Sequence, residues 1–525
     1  MKKNISILIV LSLLLILTAC TSGTAGNSNS SNKTNTNNTS EKDNSPVTKK
    51  DNLIIAFESD AATLIANTDV NYVTDTQIRN IYDPLIDRHG QTGDFVPVLA
   101  EEWKNVDEYT WRLKLKEGIK FHNGADFDAN AVKFSIDYIL DEANQSFYRS
   151  RWVNVKEIKI ISPTEVEIIT SKPFPSLIQR IAEDVLIMEP GYVNEVGIDA
   201  AAKKPVGTGA YKFVEWSRDN YLKLEAFDDY WKGQPQIKTL EFRYIPEFSS
   251  RLSAFLSGEV DLFKNIPVDS VEKIKNNDKS KIEETSSARI NYLALNTFYD
   301  GPMKDEKVRQ AINHAINVDE LLNSVLNGHG TKMTGPLAKI NTGYIETEGY
   351  DYDGEKAKTL LKEAGYEPES LTLTLDTPNG RYPMDSQIAQ AIAAQLQRIG
   401  VKVNVQVNEW GNHLEKIRNR EMKDMFILGW GPAFDPQSTI ENLFTEVAPY
   451  SSFYDKDIEV KIYETNDLFN EDERFAGYAE LQKRLVEKAA WVPLWQQADL
   501  YAVRKDLNFK PRVDEKMQVF EMSWN

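Results

Sequence analysis

The sequence predicts an α/β body divided into two or three domains, and three observations carry this. Short stretches alternate apolar and polar residues, longer ones repeat apolar residues at helical spacing, and the two kinds succeed each other along the chain. One such succession, from Leu371 to Val407, has the form of a βαβ unit. Residues 51–525 are too many for a single core, and at 41% apolar the chain has the composition of a soluble globular protein.

The first segment stands apart from this body. Lys2 and Lys3 give it a positive end, an apolar run follows from Ile5 to Leu17, and Leu17-Thr18-Ala19-Cys20 closes it on the chain's single cysteine. The run is short of the roughly 20 apolar residues that span a bilayer. Residues 1–19 are therefore expected to be a cleaved lipoprotein signal peptide, with Cys20 as the acylated residue. The alternative is an ordinary secretory signal followed by an incidental cysteine. Two acyl chains anchor a protein stably where one does not, so a diacylated Cys20 is expected to hold the protein on the extracellular face of the cell membrane. Residues 20–50 are almost wholly Ser, Thr, Asn, Gly and Lys, which predicts a disordered tether.

Within the body, Tyr109 to Leu115 alternates as a half-buried strand should. A turn at Asn123-Gly124 leads to Asp128, placed to cap a helix carrying Ala131, Phe134, Tyr138 and Ile139. Ser162-Pro163 turns into a strand from Thr164 to Thr170. Leu371 to Leu375 is the first strand of the βαβ unit, and Ile388, Ile392, Leu396 and Ile399 line its helix. Gly400 stops that helix before Val401, Val403, Val405 and Val407 mark the second strand. The glycines of Pro205-Val206-Gly207-Thr208-Gly209-Ala210-Tyr211 lack the pattern of a dinucleotide or phosphate loop and are read as a tight turn.

Charge and composition narrow the function. Formal net charge is −18, and loss of Lys2 and Lys3 with the leader takes it to −20, which argues against nucleic acid or anionic lipid as a partner. With no cysteine beyond Cys20 there is no internal disulfide, thiol nucleophile or thiolate metal site. The motifs of zinc peptidases, serine hydrolases and phosphate-loop enzymes are absent, and the five histidines lie far apart in sequence. Most Asp and Glu residues read as solvated surface charge. No cofactor or metal is expected, and the chain is expected to be a monomer and not an enzyme.

Several stretches together resemble the bacterial extracellular solute-binding proteins of family 5, the large binding proteins of ABC importers for peptides and nickel. They include Asn80-Ile81-Tyr82-Asp83-Pro84-Leu85, Pro97 to Trp103, Gly118 to Gly124, Pro205 to Tyr211 and Asp229-Tyr230-Trp231-Lys232-Gly233. Ser257 to Asp261, Val308 to Ile312 and Ala357 to Tyr366 complete the series. The resemblance implies a two-lobed fold of the type II periplasmic-binding-protein kind, with a hinge between lobes and an extra domain on one of them. It places lobe I at 51–95, 205–295 and 495–525, the extra domain at 96–204, and lobe II at 296–494. It also implies the transmembrane subunits of an ABC permease as partners.

The same resemblance supplies site candidates. Peptide binders of this kind hold the ligand amine with an aspartate three residues after a Gly-Trp pair, but Gly429-Trp430 is followed by Gly431, Pro432 and Ala433. Asp435 comes two residues later and reads as turn chemistry. The run Trp430 to Pro436 is more similar to the nickel-binding branch, where Trp430 and Phe434 are expected to wall the pocket. Arg149-Ser150-Arg151-Trp152 resembles that branch's Arg-x-x-Trp, which makes Arg149, Arg151 and Trp152 ligand candidates. The branch's metal-facing histidine is missing from Thr445 to Tyr450, and an acidic residue near Glu183 or Asp184 stands where a second arginine is expected. Tyr72, in the loop before the first helix, is the last candidate. A short peptide is the expected ligand, with a nickel chelate or an opine-like acid as alternatives; a surface hydrolase or a signalling receptor remains open.

Overall fold

The computed structural model describes residues 50–69 and 71–525. The leader, Cys20 and nearly all of the tether lie outside the described residues. The body is organised by an 11-stranded sheet. From one edge it runs Lys402–Asn408, Thr372–Pro378, Met425–Trp430, Ser280–Leu295, Trp491–Arg504, Leu262–Lys264, Asn52–Phe57, Thr239–Tyr244, Tyr221–Ala226 and Tyr211–Ser217. The eleventh strand, Thr331–Lys332, pairs beside Trp491–Arg504.

Two long antiparallel strands, Ser280–Leu295 and Trp491–Arg504, serve both halves of this sheet. The Ile290 to Leu295 end pairs with Met425–Trp430, while Tyr501 to Val503 pair with Leu262–Lys264. Their mutual pairing shifts register between Ser286 and Ile290. The predicted βαβ unit is present: Thr372–Pro378 runs parallel to Lys402–Asn408, joined by the helix Asp385–Arg398. That helix buries Ile388, Ala389, Ile392 and Leu396, the apolar face read from the sequence. Gly400 at φ +99° turns the chain after it, a conformation that favours glycine.

A second sheet of four antiparallel strands, Ala100–Asp107, Thr110–Leu115, Glu165–Thr170 and Val155–Ser162, is covered by the helix Ala129–Leu140. Asp128 caps this helix by accepting from the backbone N–H of Asn130 (2.9 Å) and Ala131 (3.3 Å). Leu113, Ile136, Ile158, Val166, Ile168 and Ile181 bury fully or nearly so between the layers. At about 1.5–3 kcal/mol for each such side chain, this unit has a core of its own. Among the described residues, no helix is long and apolar enough to cross a membrane.

Gly207 and Gly209 are needed for a reason other than a turn. Neither has a positive φ; instead the strand-like stretch 207–211 lies against the backbone of Asn80 and Ile81. Gly209 N–H donates to Ile81 O and Tyr211 N–H to Asn80 O, both at 2.9 Å. A Cβ on Gly207 would meet Ile81 O at 2.2 Å, and one on Gly209 would meet Ile81 C at 2.6 Å. His122 closes the same junction: its Nε2 faces Gly209 O at 2.9 Å, and its Nδ1 faces the Gly207 N–H at 3.3 Å. These partners require a neutral ring with the proton on Nε2.

Burial pushes His122 down to about 4, and does the same to the fully buried His413, whose Nε2 faces Ile427 O at 3.0 Å. Both folded values lie below the unfolded value near 6.5, so the unfolded chain binds more protons in that window. Stability is complete above about pH 6.5 and falls by about 3 kcal/mol per histidine on going to pH 4. In an NMR titration both Cε1–H resonances are expected to stay fixed down to about pH 5; a midpoint near 6.5 for either ring contradicts this account.

The first strand of the described body meets the C-terminal residues. Leu507 and Trp524 pair in a short antiparallel ladder, and Trp524 Nε1 donates to Asn52 O at 3.0 Å. Asn80 donates to Met517 O and accepts from the Val519 N–H, so the last residues also seal the 207–211 junction from behind.

Candidate functional site

A cavity of about 170 Å³ opens between three walls that sequence separates widely. The first wall begins with the helix Tyr72–Ile78, capped by the Asn71 side chain, which accepts from the Val73 N–H at 2.8 Å. Tyr72 opens this helix instead of preceding it in a loop. Its hydroxyl donates to Glu58 and accepts from Asn265 Nδ2 at 3.0 Å, and Lys264 Nζ lies 5.1 Å from its ring centre. Asp75 and Thr76 follow on the cavity side.

The same wall continues through the 3₁₀ turn Arg149–Arg151 and the helix Leu177–Asp184. Asp184 is buried and accepts from Arg151 Nη1 through Oδ1 and from Trp152 Nε1 through Oδ2, each at 2.9 Å. Trp152 is 0% exposed and sits in the core of the four-stranded unit, so it positions Asp184 from behind and does not line the cavity. Arg149 turns away: its Nε donates to Leu140 O at 3.1 Å, and its Nη2 lies 3.5 Å from Glu142. Of the three residues in that motif, Arg151 alone is brought to the cavity. Burial raises the neighbouring Glu183 carboxyl above the ordinary range, against the pull of Arg180 and Arg88.

The second wall is Gly431, Pro432 and Phe434, on the loop after the strand Met425–Trp430. Gly431 lets the Arg289 guanidinium pass, since a Cβ there would meet Arg289 Cζ at 2.5 Å. Trp430, expected to wall the pocket, is not among the residues lining this cavity; it packs on the core, with its ring centre 5.7 Å from that of Tyr450. Phe434 is buried and faces Arg88, whose Cζ lies 4.5 Å from its ring centre. Asp435 caps the helix Pro436–Phe444 by accepting from the Gln437 N–H at 2.8 Å, and it borders a second chamber of about 290 Å³.

The third wall, Asp514, Glu515 and Lys516, was not found by sequence reasoning, and neither was Arg88. Glu515 accepts from Ser287 Oγ (2.8 Å), Arg289 Nε (2.8 Å) and Lys264 Nζ (3.1 Å). Burial alone raises its carboxyl, but Arg289 and Lys264 outweigh that and hold it well below the usual carboxylate range. The cavity thus carries Asp75, Glu183, Asp184, Asp514 and Glu515 against Arg88, Arg151 and Lys516. A cavity lined with both signs suits a small ligand that itself carries both an ammonium and a carboxylate. Among the described residues, no group of three His, Cys, Asp or Glu side chains is placed to hold a metal ion.

The fold and this cavity, enclosed between parts of one body that two long strands connect, define a protein that holds a small solute. The chain belongs to the bacterial extracellular solute-binding proteins of family 5: the model described as "Bacterial extracellular solute-binding proteins, family 5 Middle" matches residues 94–451. It is a solute-binding protein of an ABC importer. Among curated relatives, the glutathione-binding protein GsiB of Pectobacterium atrosepticum is 28% identical over 393 residues, covering 74% of this chain and 76% of its own. Among solved structures, the ABC transporter substrate-binding protein CtaP of Listeria monocytogenes superposes with a TM-score of 0.84 at 24% identity, covering 91% of this chain and 99% of its own. The periplasmic binding protein DppA of Helicobacter pylori, solved with the peptide STSA, gives a TM-score of 0.77 at 25% identity, covering 91% and 98%. The architecture is accordingly the two-lobed type II fold expected from the sequence, with a mixed α/β body.

Proposed function

We propose that this protein is the substrate-binding lipoprotein of an ABC importer, anchored through Cys20, and that it captures a short peptide by lobe closure and delivers it to the membrane permease. The observation that carries the ligand class is that both signs of charge line the cavity, with the Arg151–Asp184 pair braced by Trp152 on one wall and Asp514, Glu515 and Lys516 on another. A short peptide offers the matching ammonium and carboxylate at fixed spacing. Two relatives lend support in their own right, one named for glutathione binding, itself a short peptide, and one solved with a tetrapeptide. The lobe and extra-domain boundaries given above belong to this reading; separate cores support the division into units, although Leu85 and Ile86 pack into the second core and Met188, Val193 and Ala201 into the first. Nothing in the geometry favours a nickel chelate gripped by Arg149 and Trp152, because neither reaches the cavity.

The test is native mass spectrometry of the leaderless protein purified without denaturation. The expected result is a retained series of peptide masses, and after refolding, calorimetric binding of tri- and tetrapeptides without turnover. A single adduct with a nickel isotope pattern overturns the peptide assignment in favour of a metal chelate. Catalytic turnover of a bound peptide overturns the transport reading.

A further inference from the structure

We propose that Arg88 is the anchor for a carboxylate of the ligand, at the junction of the two chambers between the lobes. This rests on the peptide-binding reading above and adds to it the group that fixes the ligand's register. Arg88 ends the strand Ile86–Arg88 and is 5% exposed. Among the described residues its guanidinium makes one hydrogen bond, from Nη1 to Gly93 O of its own hairpin, and its buried Nε has no partner. No carboxylate among the described residues lies within ion-pair distance of it. Each other buried arginine has either a carboxylate or at least two carbonyl acceptors. Arg79 pairs with Asp75 at 2.8 Å, Arg512 with Asp514 at 2.7 Å, and Arg309 donates to the carbonyls of Met303, Lys304 and Lys488.

A buried guanidinium without a direct ion-pair partner is costly, since burial outweighs the more distant pull of Glu183, Asp435, Asp514 and Asp87. Its surroundings hold it in place for a partner. Phe95 and Phe434 lie against it, with ring centres 4.2 and 4.5 Å from Cζ, an arrangement that fixes the plane of the fork and leaves its donor edge for a planar acceptor. On the lobe boundaries proposed above Phe434 belongs to the opposite lobe, so parting the lobes removes its ring from the guanidinium and closure returns it. Arg88 borders the cavity of about 170 Å³ on one side and the chamber of about 290 Å³ on the other. The second chamber mixes aromatic walls, Phe95, Trp103, Trp111 and Phe475, with charged ones, Asp435, Glu471 and Arg474. A peptide seated in one chamber and ending at their border therefore brings its terminal carboxylate to the fork.

The experiment uses the leaderless protein, stripped of retained ligand by unfolding and refolding, as wild type, Arg88→Met and Arg88→Lys. Each is titrated by calorimetry with tetra-alanine, tetra-alanine amide and glutathione, and each empty protein is unfolded in urea. Arg88→Met is expected to weaken tetra-alanine by about 30-fold or more and the amide by about threefold or less, with Arg88→Lys in between. The empty Arg88→Met protein is expected to unfold at the same or a higher urea midpoint, because an uncompensated charge has been replaced by an apolar stem of similar length. Equal weakening of acid and amide, or a lower midpoint for the empty variant, overturns the proposal. If wild type takes none of the three probes, the peptide reading itself fails, and the urea midpoint alone then decides whether Arg88 is held for a ligand or serves the fold.

Discussion

Glu515→Ala is expected to lower the stability of the body by about 3–5 kcal/mol, the scale for breaking a buried ion pair from one side. The carboxylate gathers three strands: Ser287 and Arg289 from Ser280–Leu295, and Lys264 from Leu262–Lys264, which in turn pairs with Asp499 of Trp491–Arg504 at 2.9 Å. Without Glu515, Lys264 retains Asp499, but Arg289 is left as a buried cation under Gly431. Urea unfolding followed by circular dichroism at pH 7 measures the loss. Glu515→Gln, which keeps the shape and part of the hydrogen bonding, is expected to lose less. The folded carboxyl lies below its unfolded value, so its contribution is fully present above about pH 4.3 and shrinks as the pH falls below that. An unchanged midpoint at pH 7, or an advantage over the variant that grows on acidification, would show that the network is not what ties these strands.

Gly207→Ala is expected to cost about 3 kcal/mol or more, at or beyond the upper end of ordinary overpacking, because the added methyl meets a backbone oxygen and not a side chain that can swing aside. The disturbance reaches His122, whose ring Nδ1 accepts from the Gly207 N–H and whose backbone N–H donates to Gly207 O at 2.9 Å. Soluble yield and urea midpoint test the first effect, and the His122 resonance tests the second: its suppressed titration is expected to move back toward 6.5 in the variant. A variant with wild-type stability would mean that the two backbones separate freely, contrary to their 2.9 Å hydrogen bonds.

What the sequence disclosed follows from the range of the forces involved. The βαβ unit was legible because Leu371 to Val407 encodes it locally, by alternation, helical spacing and a glycine stop. The Asp128 cap was legible for the same reason. The 207–209 glycines were visible, but their purpose was not, because the backbone they must clear lies at Ile81. The charged run Arg512 to Lys516 looks like any solvated surface stretch, yet Arg512 reaches Asp87 across 425 positions, and Glu515 reaches Arg289 across 226. Pairing over such separations leaves no periodicity to read. Arg149 and Arg151 are near-identical as text, but two positions in a 3₁₀ turn of three residues point in different directions, and only one meets Asp184. Trp152 shows how an aromatic beside arginines becomes core once its N–H finds a buried acceptor.

The meeting of the body's first strand with the C-terminal residues has a consequence in time. Trp524 donates to Asn52 across 472 positions, and Asn80 is held by Met517 and Val519. Contacts this distant are made late, since the loop they close must first be complete. The first strand of the body therefore lacks its final neighbours until the last dozen residues exist. The contacts that close the body around Asn52 and Asn80 are therefore the last to form, while the unit around residues 85–187, with its own core, does not wait for them.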